Sequence, residues 1–324
     1  MPLFSQEETP PAVGAAKSSH RIRALVDRLP KTLYLGTSSW SFPGWAGIVY
    51  DRQTSKNVLA RHGLAAYASH PLFRAVGLDR TYYGPISSDD YAGYASSVPP
   101  DFSFLIKAQN VVTSPLAQGR RDVANLMFLH AGYVRDELIG PMLKGLGGKE
   151  VVLLFQFPPI GVDGMRALRG PHGFAERLRV FLGSLPEGPR YAVELRDSEL
   201  LTDRYASALN ETGTLHAYNV HPTMPPISDQ IQIVSPASMS AVVVRWMLHR
   251  ARGYEDALEA FAPFDRIVVA DAEARASIAQ LVESASVNGR KALVIANNKA
   301  EGSAPLSLTA LAERIAASVD GREE

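Results

Sequence analysis

Short apolar runs, each closed by a turn or by the start of a helical pattern, recur along this chain and read as buried strands. Eight stand out: Leu33–Thr37, Ala75–Asp79, Phe102–Lys107, Val151–Phe157, Tyr191–Arg196, Thr214–Asn219, Ala241–Trp246 and Ala292–Asn297. Helical periodicity fills most of the gaps between them. It predicts helices over Arg21–Leu29, Val123–Leu138, Phe174–Leu185, Asp203–Glu211, Tyr254–Phe261 and Ala272–Ser286, with a closing helix from about Pro305. In the second of these, Leu126, Leu129, Val134 and Leu138 are among the apolar positions. Strands alternating with helices imply a parallel sheet covered on its outer face, and eight of them match an α/β fold of the TIM (β/α)8 barrel type. A ninth strand-like run, Arg266–Ala270, fits either an edge element or an irregular connection. An open doubly wound sheet is the alternative, but no G-x-G-x-x-G follows any of the runs.

Composition narrows the picture. At 324 residues and 46% hydrophobic, the chain can bury a large core. Residues 1–30 read as an N-terminal arm, mobile to about Lys17, and a short helix; 31–324 form a single barrel domain. Lys plus Arg equals Asp plus Glu, so no global field draws in nucleic acid. The absence of cysteine excludes disulfides and thiolate chemistry and fits a cytoplasmic protein. No segment approaches the roughly 18 apolar residues of a membrane helix, so no membrane partner is expected.

In a barrel, function gathers where the strands end. Here nearly every strand ends on an ionic or amide group: Asp79, Lys107, Gln156, Glu194 with Arg196, Asn219, Arg245, and Asn297 with Asn298. Glu194 and Arg196 lie two residues apart and so face the same way on a strand. That pair reads either as an acid–base group with an anion clamp or as an ion pair plugging the barrel mouth. Lys107 reads as a cation for phosphate, or as an amine that forms a Schiff base. Trp40 and Tyr83 are candidates for stacking a ligand, while packing is the first reading of Trp45. Asn297 and Asn298 can bind ligand or tie the last strand to the first. Asp79, Glu194, Asp197 and His221 are the only evident metal donors; no cofactor is predicted, and a divalent metal is left as an alternative.

Several segments fall into a pattern when taken together. Residues 35–47, Leu-Gly-Thr-Ser-Ser-Trp-Ser-Phe-Pro-Gly-Trp-Ala-Gly, resemble the G-T-S-G-W-S-Y-P-x-W-x-G opening of the YecE-like family, domain of unknown function 72. Thr81-Tyr82-Tyr83 is similar to its T-F-Y, Phe102–Ala108 to F-x-F-x-x-K-A, and Leu154–Pro159 to L-x-Q-L-P-P. Ala192–Arg196 resembles A-V-E-F-R, and Asn297-Asn298 resembles the terminal N-N. The resemblance spans roughly residues 33 to 315 and implies a TIM barrel without implying a reaction. The chain departs from the pattern at three places. V-E-I-N-S on the second strand becomes Val76-Gly77-Leu78-Asp79-Arg80, H-P-S-W becomes Asp197-Ser198-Glu199-Leu200, and R-x-H becomes Arg245-Trp246-Met247.

The leading expectation is a barrel that binds a small anionic, phosphate-bearing or polyhydroxylated ligand at its carboxyl-end face, with hydrolase or lyase chemistry. Glu194 and Lys107 are the candidate catalytic residues, and Trp40, Asp79, Tyr83, Gln156, Arg196, Arg245, Asn297 and Asn298 the candidate ligand contacts. Two alternatives stand beside it. One is a nucleic-acid-binding or repair-like barrel using Arg245, Arg250 and Arg252 around His249, the other short basic run being Arg120-Arg121; the second is a ligand-binding protein without catalysis.

Overall fold

The computed structural model describes residues 13–120 and 123–320. Its eight strands are β1 (Leu33–Thr37), β2 (Phe73–Leu78), β3 (Ser103–Lys107), β4 (Glu150–Phe157), β5 (Arg190–Leu195), β6 (Leu215–Val220), β7 (Ala241–Trp246) and β8 (Lys291–Ala296). They pair in chain order, all parallel, and close when β1 pairs with β8 from Leu33↔Ala292 to Thr37↔Ala296. The TIM-barrel expectation therefore holds, with each predicted strand shifted by two residues or fewer. The shifts matter at the rim, because Asp79, Arg196 and Asn297 stand just past their strands rather than within them.

The residues of Arg266–Ala270 form no strand. Val268 and Val269 donate their backbone N–H groups to the Glu301 carbonyl at 2.7 and 3.1 Å, so this run is an irregular connection laid across the loop after β8. Helix prediction fails most at Val123–Leu138. The helix there begins only at Ala131, where His130 Nδ1 accepts the Tyr133 N–H at 3.0 Å as its cap. Upstream, Asn125 Nδ2 donates to the Val111 and Ser114 carbonyls, Leu126 is 84% exposed and Leu129 sits at φ 54°, so the apolar period continues without a helix. The helix then runs through a π turn at Arg135–Ile139 into Gly140–Leu146. Pro141 explains the turn, since it has no N–H for the usual i−4 bond and Gly140 reaches back to the Arg135 carbonyl instead.

The predicted arm is only partly described. From Val13 onward it is held rather than mobile: Ala15 bridges Tyr50, and Asp51 N–H donates to the Gly14 carbonyl at 3.0 Å. The helix His20–Asp27 packs on the closing helix Ala304–Asp320, with Arg21 paired to Glu313. No helix among the described residues is long and apolar enough to cross a membrane.

Candidate functional site

The register fixes which side chains line the barrel. Gln156 pairs with Glu194 across β4 and β5, and Asn219 with Arg245 across β6 and β7. Arg245 Nε donates to Glu194 Oε2 at 3.0 Å, although β6 separates their strands. Only side chains that point into the barrel can meet in this way. Arg196, just beyond β5, pairs with the other carboxylate oxygen of Glu194. One carboxylate thus bridges two guanidinium groups, and all three side chains are buried, at 0% exposure for Glu194, 7% for Arg196 and 1% for Arg245.

Burial alone would raise the Glu194 pKa, but Arg196, Arg245 and Lys107 outweigh it and hold the carboxyl below the usual range. Burial lowers Arg196 from the ordinary arginine value, with Glu194 opposing it. The bridge leaves donors over: among the described residues, Arg196 Nε and Arg245 Nη1 are buried with no partner, as are the acceptors Asp79 Oδ1 and Asn219 Oδ1. Unsatisfied buried polar atoms are uncommon and call for an explanation.

Lys107 ends β3 and is partly buried, its Nζ 3.7 Å above the centre of the Tyr82 ring. Burial lowers its pKa to about 8; the charge of Asp79 opposes this, and those of Arg245 and Arg196 reinforce it. The Tyr82 ring is set by its neighbour Thr81, whose hydroxyl is 2.6 Å from the Lys107 carbonyl oxygen and pins the loop after β2 to the end of β3. Tyr83 is 86% exposed at the edge of this loop and meets Tyr82 edge-on. Lys299 follows β8, its Nζ 4.4 Å from the centre of the Tyr254 ring, with Asp79 and Glu255 as its acidic neighbours.

Two expected ligand contacts and one expected metal donor have other work. Trp40 is 6% exposed, donates Nε1–H to the Leu59 carbonyl at 3.0 Å and packs edge-on to Tyr94, so its ring is core rather than a stacking platform. Asn298 is 1% exposed, and its Oδ1 accepts from Trp45 Nε1 and the Ala304 N–H. It ties the first loop to the last helix. Asp197 also turns away from the mouth, capping two backbone N–H groups, those of Ile160 and Glu199, at 3.2 Å each. Asn297 links the ends of the barrel, donating to Ser38 Oγ at 2.8 Å. Among the described residues, no three His, Asp or Glu side chains converge as a metal site.

Tyr82 and Lys299 fall at the strand ends that the sequence marks as a rim, though neither is among the candidate site residues. Each carried a positional signal, one beside Tyr83 in the T-Y-Y run and the other directly after the paired asparagines. Beside the mouth, a cavity of about 410 Å³ opens between the loops after β6 and β7 and the start of the helix Ala272–Val287, with Asn219, His249 and Arg250 among its lining. Arg250 there stands with Asp271 and Glu273, so the patch is mixed in charge; Arg121 lies outside the described residues.

A model of the family described as "Protein of unknown function DUF72" matches residues 34–323. A DUF72 family protein from Enterococcus faecalis superposes with a TM-score of 0.57 at 15% identity, covering 89% of this chain and 95% of that one. Another from Thermotoga maritima gives 0.55 at 20% identity, covering 89% and 99%. These structures share the fold. No curated protein matches the chain.

Proposed function

Since the chain belongs to the DUF72 family, for which no reaction is described, its function has to be read from its own residues, and we propose that the barrel mouth binds a small anionic, phosphate- or carboxylate-bearing molecule. The observation that carries this reading is the shared carboxylate: two buried arginines divide one Glu194, and each keeps an N–H without a protein partner. Arginine donors of this kind suit a phosphate or carboxylate because the planar fork presents paired N–H groups.

The charge count agrees. Lys107, Arg196 and Arg245 face Glu194 and Asp79, three cations against two carboxylates, while Lys299 stands nearer the edge with Glu255. An anion removes the excess. In this reading Glu194 is the counter-ion that spaces the arginines rather than a proton carrier, because two guanidinium groups keep it ionised. Lys107, Asp79, Gln156 and Asn297 are only partly buried and supply the open side of the site.

Thermal melts test the reading. Glycerol 3-phosphate or lactate should raise the melting temperature above that in glycerol at matched ionic strength, and the rise should shrink as sodium chloride screens the site. The shift should be lost in Arg196→Met. If neither anion gives more than the salt control, anion binding at the mouth is wrong.

A further inference from the structure

Three features of Lys107 set it apart from a lysine that only balances charge. It ends a barrel strand beside the paired arginines, with its side chain partly open. Its amine lies over the Tyr82 ring and forms no ion pair or hydrogen bond among the described residues. Burial, with the like charges of Arg245 and Arg196, outweighs the opposing charges of Asp79 and Glu194 and favours the neutral amine that can attack carbon.

We propose that Lys107 forms an imine with the carbonyl carbon of a small anionic aldehyde or ketone whose charged group is held by Arg196 and Arg245. This rests on the anion-binding reading and deepens it by naming the reacting class. The neutral amine adds to the carbonyl to give a carbinolamine. Transfer of the remaining nitrogen proton to the hydroxyl expels water and leaves a neutral imine in which the nitrogen has replaced the carbonyl oxygen, and uptake of one proton from solvent makes it the protonated imine. No electrons enter or leave the system. Asp79 is placed to carry that proton: it is the foremost opposing charge on Lys107, and its Oδ1 has no protein partner. The imine then acts as an electron sink for cleavage of a bond next to the former carbonyl carbon, which is lyase chemistry.

Reductive trapping tests it on the full chain. Dihydroxyacetone phosphate, pyruvate and glyoxylate are each incubated with the protein and sodium cyanoborohydride, followed by intact mass and peptide mapping. With at least one of the three, a single adduct is expected on the peptide that carries Lys107. Its yield should rise with pH around a midpoint of about 8 and fall when glycerol 3-phosphate or lactate competes. Lys107→Arg keeps the charge and should lower the adduct at least about tenfold. Because mapping is done on the unsubstituted protein, the result stands even if that variant folds poorly. Absence of an adduct at Lys107 with all three carbonyl compounds, while their alcohol counterparts still raise the melting temperature, overturns the imine and leaves anion binding intact. Absence of both overturns the two together.

Discussion

Replacing Glu194 by Gln removes the charge that two buried arginines share while keeping the side chain's shape. With 0% exposure at Glu194 and 1% at Arg245, water cannot screen what is left. Removing one partner of a buried ion pair costs about 3–5 kcal/mol, because the remaining charge stays desolvated. Here the amide also turns N–H groups toward guanidinium donors. For a chain of 324 residues, each kcal/mol lowers the melting temperature by roughly 1.5 °C. The variant should therefore melt about 5–8 °C below the unsubstituted protein near pH 7. The pH dependence has a definite sign. Glu194 has a folded pKa below its unfolded value of 4.5, so its stabilisation is complete above that value and is lost as pH falls through the folded one. The gap between the two proteins should close in acid. Differential scanning calorimetry across pH measures this, and adding inorganic phosphate makes the assay sharper. A phosphate that takes the place of the missing carboxylate should stabilise Glu194→Gln more than the unsubstituted protein. A variant that melts within about 1 °C of the unsubstituted protein, with an equal phosphate response, would refute the shared-carboxylate argument.

Two further predictions concern the frame around the site. His216 is fully buried between Tyr205 OH and Gln230 Oε1, and burial lowers its pKa from 6.5 to about 4. It must stay neutral to fold, so its contribution is complete above pH 6.5 and is lost between there and about 4, a total of roughly 3 kcal/mol. His216→Gln should flatten the fall of melting temperature over that window, and an unchanged slope would count against the assignment. Gly77 is the other position. A Cβ there would stand 3.0 Å from Ser38 Cα, so Gly77→Ala should destabilise by about 1–3 kcal/mol in urea unfolding, since backbone atoms of β1's end must shift. A neutral or stabilised variant would show that this approach is slack.

The barrel is legible because buried parallel strands leave a strong trace: β1 and β7 begin and end where their apolar runs do. Helices were harder for a physical reason. Ser88–Ser96 carries few apolar residues and depends on the Ser87 cap, whose Oγ accepts the Asp90 N–H at 3.1 Å. Val123–Leu138 shows the opposite error, where Asn125 anchors a loop under a helical period. The strand ends point to Glu194, Arg196, Arg245 and Lys107, and the structure brings these four side chains together. Trp40 and Asn298 were misread because motif residues next to a rim can serve the loops that form it, and strand periodicity does not say which.

Gly77 also bears on why this barrel mouth should favour an anion. The pattern that the sequence resembles has a glutamate there, on the strand beside β3 and at the register position opposite Leu105, two residues before Lys107. A third carboxylate at that level would balance Lys107, Arg196 and Arg245, leaving the lysine amine a nearby counter-ion. With glycine in its place the charges are unequal, and the close approach of Ser38 fills the space where the side chain would begin. Glu194 does not make up the difference, since its carboxylate is already shared between the two arginines. Asp79, from one turn of the strand pattern further up, partly offsets the lysine's charge but keeps an oxygen without a protein partner. The same substitution therefore leaves an excess positive charge and weakens the hold on the Lys107 proton. Each of these favours an incoming anion with an electrophilic carbon over a resident ion pair.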